Sequence, residues 1–300
     1  MENKLEIAVV PVAGLGTRML PATKSIPKEM LPIVDRPVIQ YVVEEIYYAG
    51  FKKIIFITHS SKNAIGKHFD QSSEFEKTLA KRIKKSQLKE IKNITNKKID
   101  LIYINQEEAL GLGHAIKCAE TAVGKQPFAV VLPDRVADGT VTNFKKSNLA
   151  KLRNHFLKTN LNCLLLAEVQ NNEVNKFGII KPKSKIKKNL FDIENIIEKP
   201  SVKNAPSNLA VVGRYIFTSE IFKHIPDAPI KKNKEIELTD AIQSMIKDGY
   251  IFNGLYTDTK YFDCGDKLGY FESIISFSLR DKVLGKEYKK ILNFFHEQIS

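Results

Sequence analysis

Tryptophan is absent from this 300-residue chain, and cysteine occurs only three times. Cys118, Cys163 and Cys264 are isolated, odd in number and without CxxC spacing, so neither a disulfide framework nor a cysteine zinc centre is indicated. Reduced thiols, buried or half-buried, are expected. No apolar run approaches the ~20 residues that cross a bilayer, and MENKLEIAVV lacks the basic region and long apolar core of a leader. The chain therefore reads as cytoplasmic, with no membrane partner. Acidic residues are the minority charge, 34 against 47 Lys and Arg, leaving a formal net charge of +13. Such basicity raises nucleic acid as a partner. Its distribution argues against one: Lys81–Lys98 (KRIKKSQLKEIKNITNKK) places Ile83, Leu88, Ile91 and Ile94 near helical spacing, the pattern of a solvated helix face, with few aromatics to stack on bases. Internal repeats and low-complexity tracts are also missing. With 43% hydrophobic residues the chain can bury one large α/β core or two modest ones.

What is present is concentrated near the start. Ile7-Ala8-Val9-Val10 is short and β-branched enough for a buried strand, and the chain then breaks into Gly14-Leu15-Gly16-Thr17-Arg18. Without Cβ, Gly14 and Gly16 let backbone N–H groups approach phosphate oxygens. Arg18 supplies a fork of donors and Lys28 a point charge. Met19 stands where the dinucleotide pattern GxGxxG needs glycine, and no Gly-Lys-Ser/Thr closes the loop as Walker A requires. A bare GxG also serves tight turns, so the basic residues carry much of the phosphate reading.

Gly14-Leu15-Gly16-Thr17-Arg18 followed by Pro27-Lys28-Glu29-Met30-Leu31-Pro32 resembles the signature of the sugar-1-phosphate nucleotidylyltransferases. Within that family AGLGTRMLPATKSIPKEMLP is similar to the bacterial branch acting on UTP and glucose 1-phosphate. The resemblance implies a Rossmann-like α/β nucleotidyltransferase with a mixed, mostly parallel central sheet flanked by helices. It further implies an Mg²⁺-dependent enzyme that joins UTP to glucose 1-phosphate and releases pyrophosphate. A thymidylyltransferase of the same superfamily is the alternative. The resemblance places Ala13, Gly14, Gly16 and Glu29 among the substrate-binding residues, with Arg18, Lys28 and Lys199 as catalytic cations. Residues 7–272 would form the transferase domain, its nucleotide half over about 7–140 and its sugar-phosphate half over about 160–272. Residues 273–300 would be a helical extension, packed on the core or on another subunit of a homo-oligomer, dimer or tetramer.

Further along, Val38–Tyr48 repeats apolar residues at helical intervals and ends at Gly50, while Lys53–Thr58 reads as a strand, making a βαβ unit. Ser60–Lys98 reads as one or two inserted surface helices before a strand over Ile99–Ile104. Gln106 and Gly111-Leu112-Gly113-His114 then form a second turn at the same sheet edge, where open α/β folds bind ligands. By resemblance Gln106 reads the base and Gly111 shapes its pocket. His114 is expected to be an ordinary first-turn residue, since no Ser, Cys or carboxylate motif accompanies it.

A strand over Pro127–Asp134 ends in a carboxylate suited to Mg²⁺, which takes one or two carboxylates with phosphate oxygens and water; a turn-capping Asp is the bland reading. Arg135 departs from the family's apolar residue and is expected to point away, because it would compete with the metal. After a strand over Leu161–Val169, Lys176-Phe177-Gly178 resembles the family's aromatic-Gly strand at the sugar pocket. By resemblance Glu198 takes sugar hydroxyls and Lys199 the sugar phosphate. Lys181–Lys188 and Val202–Ser207 read as loops. Glu235-Ile236-Glu237-Leu238-Thr239-Asp240-Ala241 resembles a family motif, with Glu237 in place of Gln; it is assigned to architecture, with Thr239 or Asp240 starting a helix. Tyr261-Phe262-Asp263-Cys264-Gly265 adds Asp263 as the second metal carboxylate.

Overall fold

The structure, a computed structural model, describes residues 4–59, 62–70, 99–138, 147–229 and 234–299. Its strands, in chain order, are β1 (Ile7–Pro11), β2 (Pro32–Ile33), β3 (Arg36–Pro37), β4 (Lys53–Thr58), β5 (Asp100–Asn105), β6 (Phe128–Val131), β7 (Arg135–Ala137), β8 (Asn162–Glu168), β9 (Gly178–Lys187), β10 (Leu190–Glu198), β11 (Leu209–Phe217), β12 (Phe252–Tyr256) and β13 (Tyr261–Asp263). One nine-stranded sheet takes the order β5-β4-β1-β6-β11-β8-β12-β10-β9. Only β10 and β11 run against the rest, so the sheet is mixed and mostly parallel, as expected. Two-stranded ribbons pair β2 with β3 and β7 with β13.

Alternation along β1 splits the interior in two. Ile7 and Val9 join a core with Ile55, Ile57, Phe128 and Ile242, whereas Ala8 and Val10 join Val42, Ile46, Phe56 and Phe156 on the other face. Helices cover both faces. α1 (Val38–Tyr48) and α5 (Asn148–Thr159) lie on the second core; α3 (Leu112–Lys117), α4 (Glu120–Val123), α6 (Ile221–His224) and α7 (Leu238–Lys247) lie on the first, and α2 is Asn63–Phe69. At the end of α1, Gly50 is left-handed at φ 94°; Gly50 N–H bonds Tyr47 O and Phe51 N–H bonds Ile46 O, the paired closure that a left-handed residue permits.

Several expectations are corrected. Lys181–Lys188 is largely strand: β9 and β10 form a hairpin in which Lys181 pairs with Glu194 at 2.7 Å and Pro182 sits at a register shift, where a missing N–H is tolerated. The helical tail begins at Lys267, ahead of residue 273, as α8 (Lys267–Arg280) and α9 (Gly285–Ile299). Neither Thr239 nor Asp240 caps α7, which starts after Glu237; both lie in its first turn. Val202–Ser207 carries only one short 3-10 turn. The basic segment Lys81–Lys98 lies outside the described residues.

Arg214 of β11 is fully buried and binds Glu45 Oε2 of α1 at 2.7 Å, while also donating to the carbonyls of Leu132, Gly213 and Arg135. One guanidinium thereby ties a helix to the segment that carries Asp134.

Candidate active site

The turn after β1 is held from below. Gly16 has φ 66°, its carbonyl accepts from Thr23 Oγ1 at 2.7 Å, and a Cβ there would lie 3.3 Å from Thr23 and 3.4 Å from Lys28. Gly14 is exposed, and a Cβ there would meet no described residue within 4 Å beyond its chain neighbours. Ala13 is buried beside it. Lys62, just beyond β4, donates to Gly14 O at 2.6 Å and to Glu29 Oε2 at 2.9 Å. Glu29 thus lies beneath the loop, 1% exposed, with no partner for Oε1 among the described residues. Burial pushes Glu29 up and Lys62 down, and their mutual attraction opposes both shifts.

The carboxylates meet at Gly265, whose Cβ would stand 2.7 Å from Asp134 Oδ2 and 3.2 Å from Asp263 Oδ1. Lys28 Nζ bonds Asp134 Oδ2 at 2.6 Å. Burial would raise the Asp134 pKa, but Lys28, with Arg135 and Arg18, holds it far below the usual carboxylate range. Lys28 is likewise opposed by burial yet raised by Asp134. Asp263 Oδ2 lies 3.1 Å from Arg135 and 3.6 Å from Arg18. Arg135 therefore points into the site, contrary to expectation. The reason is register: Arg135 faces Asp263 across the β7–β13 ladder, where opposite charges attract, and its guanidinium rests over Phe177 at 4.8 Å.

Phe177 leads to the far end. Its carbonyl accepts from Lys199 N–H at 2.9 Å, and a Cβ on Gly178 would come 3.3 Å from Glu198 Oε2. Thr239 Oγ1 donates to that same Oε2 at 3.1 Å. Lys199, left-handed at φ 43°, lies 3.1 Å from Glu198 and 3.8 Å from Glu237. Burial lowers the Lys199 pKa, but Glu198 and Glu237 reverse the shift. The motif assigned to architecture thus borders the site as well. At the other end, Ile236 grips the second glycine turn: Gly113 N–H bonds Ile236 O at 2.7 Å, and Cβ atoms on Gly111 or Gly113 would collide with it. Gln106 is 4% exposed, with Nε2 2.9 Å from His114 Nδ1.

The predicted residues therefore form linked groups, Gly14–Lys62–Glu29, Lys28–Asp134, Arg18–Asp263–Arg135–Phe177 and Gly178–Glu198–Lys199, with Gln106 and Gly111 at a separate turn. Gly265 joins the two middle groups, and a cleft of about 700 Å³ opens on Arg18, Arg135, Phe177 and Asp263. Sequence reasoning missed Lys62 and Thr239 and misjudged Arg135 and Glu237. Lys62 carried a signal, since it follows a parallel strand at the same rim. Asp134 and Asp263 supply hard carboxylate oxygens of the kind that hold Mg²⁺ beside phosphate and water, with Lys28 on Asp134 Oδ2 and the Gly265 N–H on Asp263 Oδ1 in this structure. Among the described residues no group of three or more His, Cys, Asp or Glu could cage one.

A family model described as nucleotidyl transferase matches residues 7–277. The chain belongs to the nucleotidyl transferase family. This transferase is 46% identical over 286 residues to a UTP--glucose-1-phosphate uridylyltransferase of Haemophilus ducreyi, covering 95% of this chain and 97% of that one. It superposes with TM-score 0.87 and 39% identity on a UTP-bound UGPase from Acinetobacter baumannii, covering 96% and 99% of the two chains. A UDP-glucose pyrophosphorylase complexed with UDP-glucose matches with TM-score 0.81 and 36% identity, over 93% and 100%. The transferase is accordingly an enzyme, and the chemistry of its family in general calls for a divalent metal.

Proposed function

We propose that the protein transfers a uridylyl group from UTP to α-D-glucose 1-phosphate, giving UDP-glucose and pyrophosphate with Mg²⁺. The observation that carries this reading is the meeting of Asp134, Asp263, Lys28, Arg18 and Arg135 around Gly265, between a glycine turn and the Glu198–Lys199 pair. Its relatives named as uridylyltransferases, and a neighbour holding UDP-glucose, support the choice of substrates over thymidylyl transfer.

A phosphate oxygen of glucose 1-phosphate attacks the α-phosphorus of UTP; the bond from that phosphorus to the bridging oxygen breaks, and pyrophosphate leaves with the electron pair. The sugar phosphate is mostly dianionic at neutral pH, its second pKa being about 6, so no general base is needed. Positioning and charge neutralisation are the whole task. The backbone at Ala13, Gly14 and Gly16 seats the triphosphate; Arg18 and Lys28 neutralise it, and Glu29 fixes Lys62 under the turn. Gln106 and Gly111 take the base. Gly178 makes room for the sugar, Glu198 accepts from its hydroxyls, and Lys199 binds its phosphate. Asp134 and Asp263 would hold Mg²⁺. When bound, Mg²⁺ supplies Lewis-acid polarisation of the phosphates.

Residues 7–140 serve the nucleotide and 160–272 the sugar phosphate in this reading, and α8 and α9 present apolar residues suited to a second copy. The three free cysteines suit the reducing cytoplasm. The test incubates glucose 1-phosphate with UTP or dTTP, with and without Mg²⁺, following pyrophosphate and nucleotide sugar. UDP-glucose formed faster than the dTTP product, and only with metal, is expected. Preferential use of dTTP, or no product from either, would overturn the proposal.

A further inference from the structure

Gln106 can face a base in two ways, since its amide has a donating and an accepting end. Its surroundings choose one. Nε2 lies 3.5 Å from Gly111 O and 2.9 Å from His114 Nδ1. A backbone carbonyl only accepts, so the edge facing Gly111 must be the NH₂ group. His114 Nδ1 must then offer its lone pair, which puts the proton of the neutral ring on Nε2. Turning the amide over would set Oε1 against the Gly111 carbonyl, acceptor against acceptor, so the Gly111 oxygen selects the orientation and His114 Nδ1, accepting at 2.9 Å, holds it. His114 is half-buried in the first turn of α3, next in sequence to Gly113, whose N–H bonds Ile236 O at 2.7 Å.

No described residue donates to Gln106 Oε1, so the amide, its two N–H groups taken by Gly111 O and His114 Nδ1, offers a ligand an acceptor. Uracil matches that acceptor, because its N3–H donates. Cytosine has an unprotonated N3 at the same position, so acceptor would meet acceptor. We propose that His114 is a positioning residue for nucleotide selectivity, holding the Gln106 amide in the orientation that admits uracil and rejects cytosine. The inference rests on the uridylyl reading above and extends it to a residue with no direct contact to the base.

The experiment measures kcat and KM for UTP and for CTP, with glucose 1-phosphate and Mg²⁺, in the wild type and in His114→Ala, His114→Phe and His114→Asn. Titration of UTP and CTP without the sugar supplies binding constants. His114→Ala and His114→Phe remove the acceptor; each is expected to raise the KM for UTP about 10-fold or more with a smaller change in kcat, and to shrink the UTP-to-CTP ratio by a similar factor. His114→Asn returns an acceptor and is expected to restore most of the ratio. Phe fills the volume that Ala leaves, and a melting curve for each variant reports folding. A folded His114→Ala or His114→Phe protein with the wild-type ratio would overturn the role of His114. Wild-type protein that makes no UDP-glucose would instead overturn the function on which the inference rests.

Discussion

Gly14 shows how one missing side chain bears on ligand and fold differently. Apart from its chain neighbours, no described residue lies within 4 Å of where its Cβ would be, and its φ is not in the left-handed region, so neither packing nor backbone strain among the described residues demands glycine. Gly14→Ala should leave the urea midpoint of the free protein almost unchanged, within ~0.5 kcal/mol, while raising the KM for UTP at least ~10-fold, because a methyl group would stand where phosphate approaches backbone N–H. Steady-state kinetics beside a denaturation curve checks both halves. Lys28 joins the two consequences that Gly14 separates. Lys28→Ala should lower kcat about 10²–10⁴-fold through lost charge stabilisation. It should cost about 1–3 kcal/mol of stability, less than the ~3–5 of a wholly uncompensated buried charge, because Arg135 and Arg18 still face Asp134. The pH dependence follows from the same pair. Asp134 is depressed when folded, so its contribution is present above its unfolded value of about 3.9 and lost as pH falls below it; Lys28 is raised, so its contribution is present below about 10.4 and lost as pH rises further. Urea midpoints should therefore hold steady between about pH 5 and 9 as far as this pair is concerned, with an acid limb that weakens in Lys28→Met/Asp134→Asn protein.

At the scale of elements, Arg214 is the joint most exposed to test. Its guanidinium serves Glu45 and three carbonyls at once, and Glu45 Oε1 has no hydrogen-bond partner among the described residues. Arg214→Met would strand a buried carboxylate and should cost about 3–5 kcal/mol, most of it recovered in Arg214→Met/Glu45→Met, where a well-packed apolar pair replaces the ionic one; urea titration of both proteins decides. That joint was invisible in the sequence, because it links residues 169 positions apart. What could be read was local. Val38–Tyr48 and Lys53–Thr58 emerge with their ends intact, because helical period, a left-handed glycine and a β-branched run are all written within a few residues. Lys181–Lys188, the outer part of the β9–β10 hairpin, reads as loop because edge strands carry lysines, and a run of them looks like solvent-exposed coil. α5 went unremarked although Ser147 caps it at Ala150 N–H and Leu149, Leu152 and Phe156 keep helical spacing. The site divides the same way. Residues inside a recognisable turn, such as Gly16 and Lys28, are legible in the sequence, whereas Arg135, Glu237 and Lys62 acquire their places from cross-strand register and tertiary contact.

For the whole molecule, the cleft on Arg18, Arg135, Phe177 and Asp263 opens beside C-terminal helices that are only partly covered. Along α8, Leu268, Phe271, Ile275 and Leu279 are 40–70% exposed at helical spacing, and α9 adds Ile291, Phe294 and Phe295, each at least half exposed. Contiguous apolar surface is uncommon on monomers and often marks an interface. The second copy proposed above would cover these residues, since a two-fold contact brings the same helices together twice. The stripe begins beside the cleft, because Leu268 and Glu272 also line that space, so association would stiffen the helix bordering the sugar-phosphate half. Light scattering on a sizing column should therefore find wild-type protein as a dimer or tetramer at micromolar concentration. Phe294→Glu/Phe295→Glu would place two carboxylates within the buried patch and should give a folded monomer, since neither ring belongs to the described core. An unchanged mass for that variant would remove α9 from the interface, and a monomeric wild type would leave the stripe without the partner assigned to it.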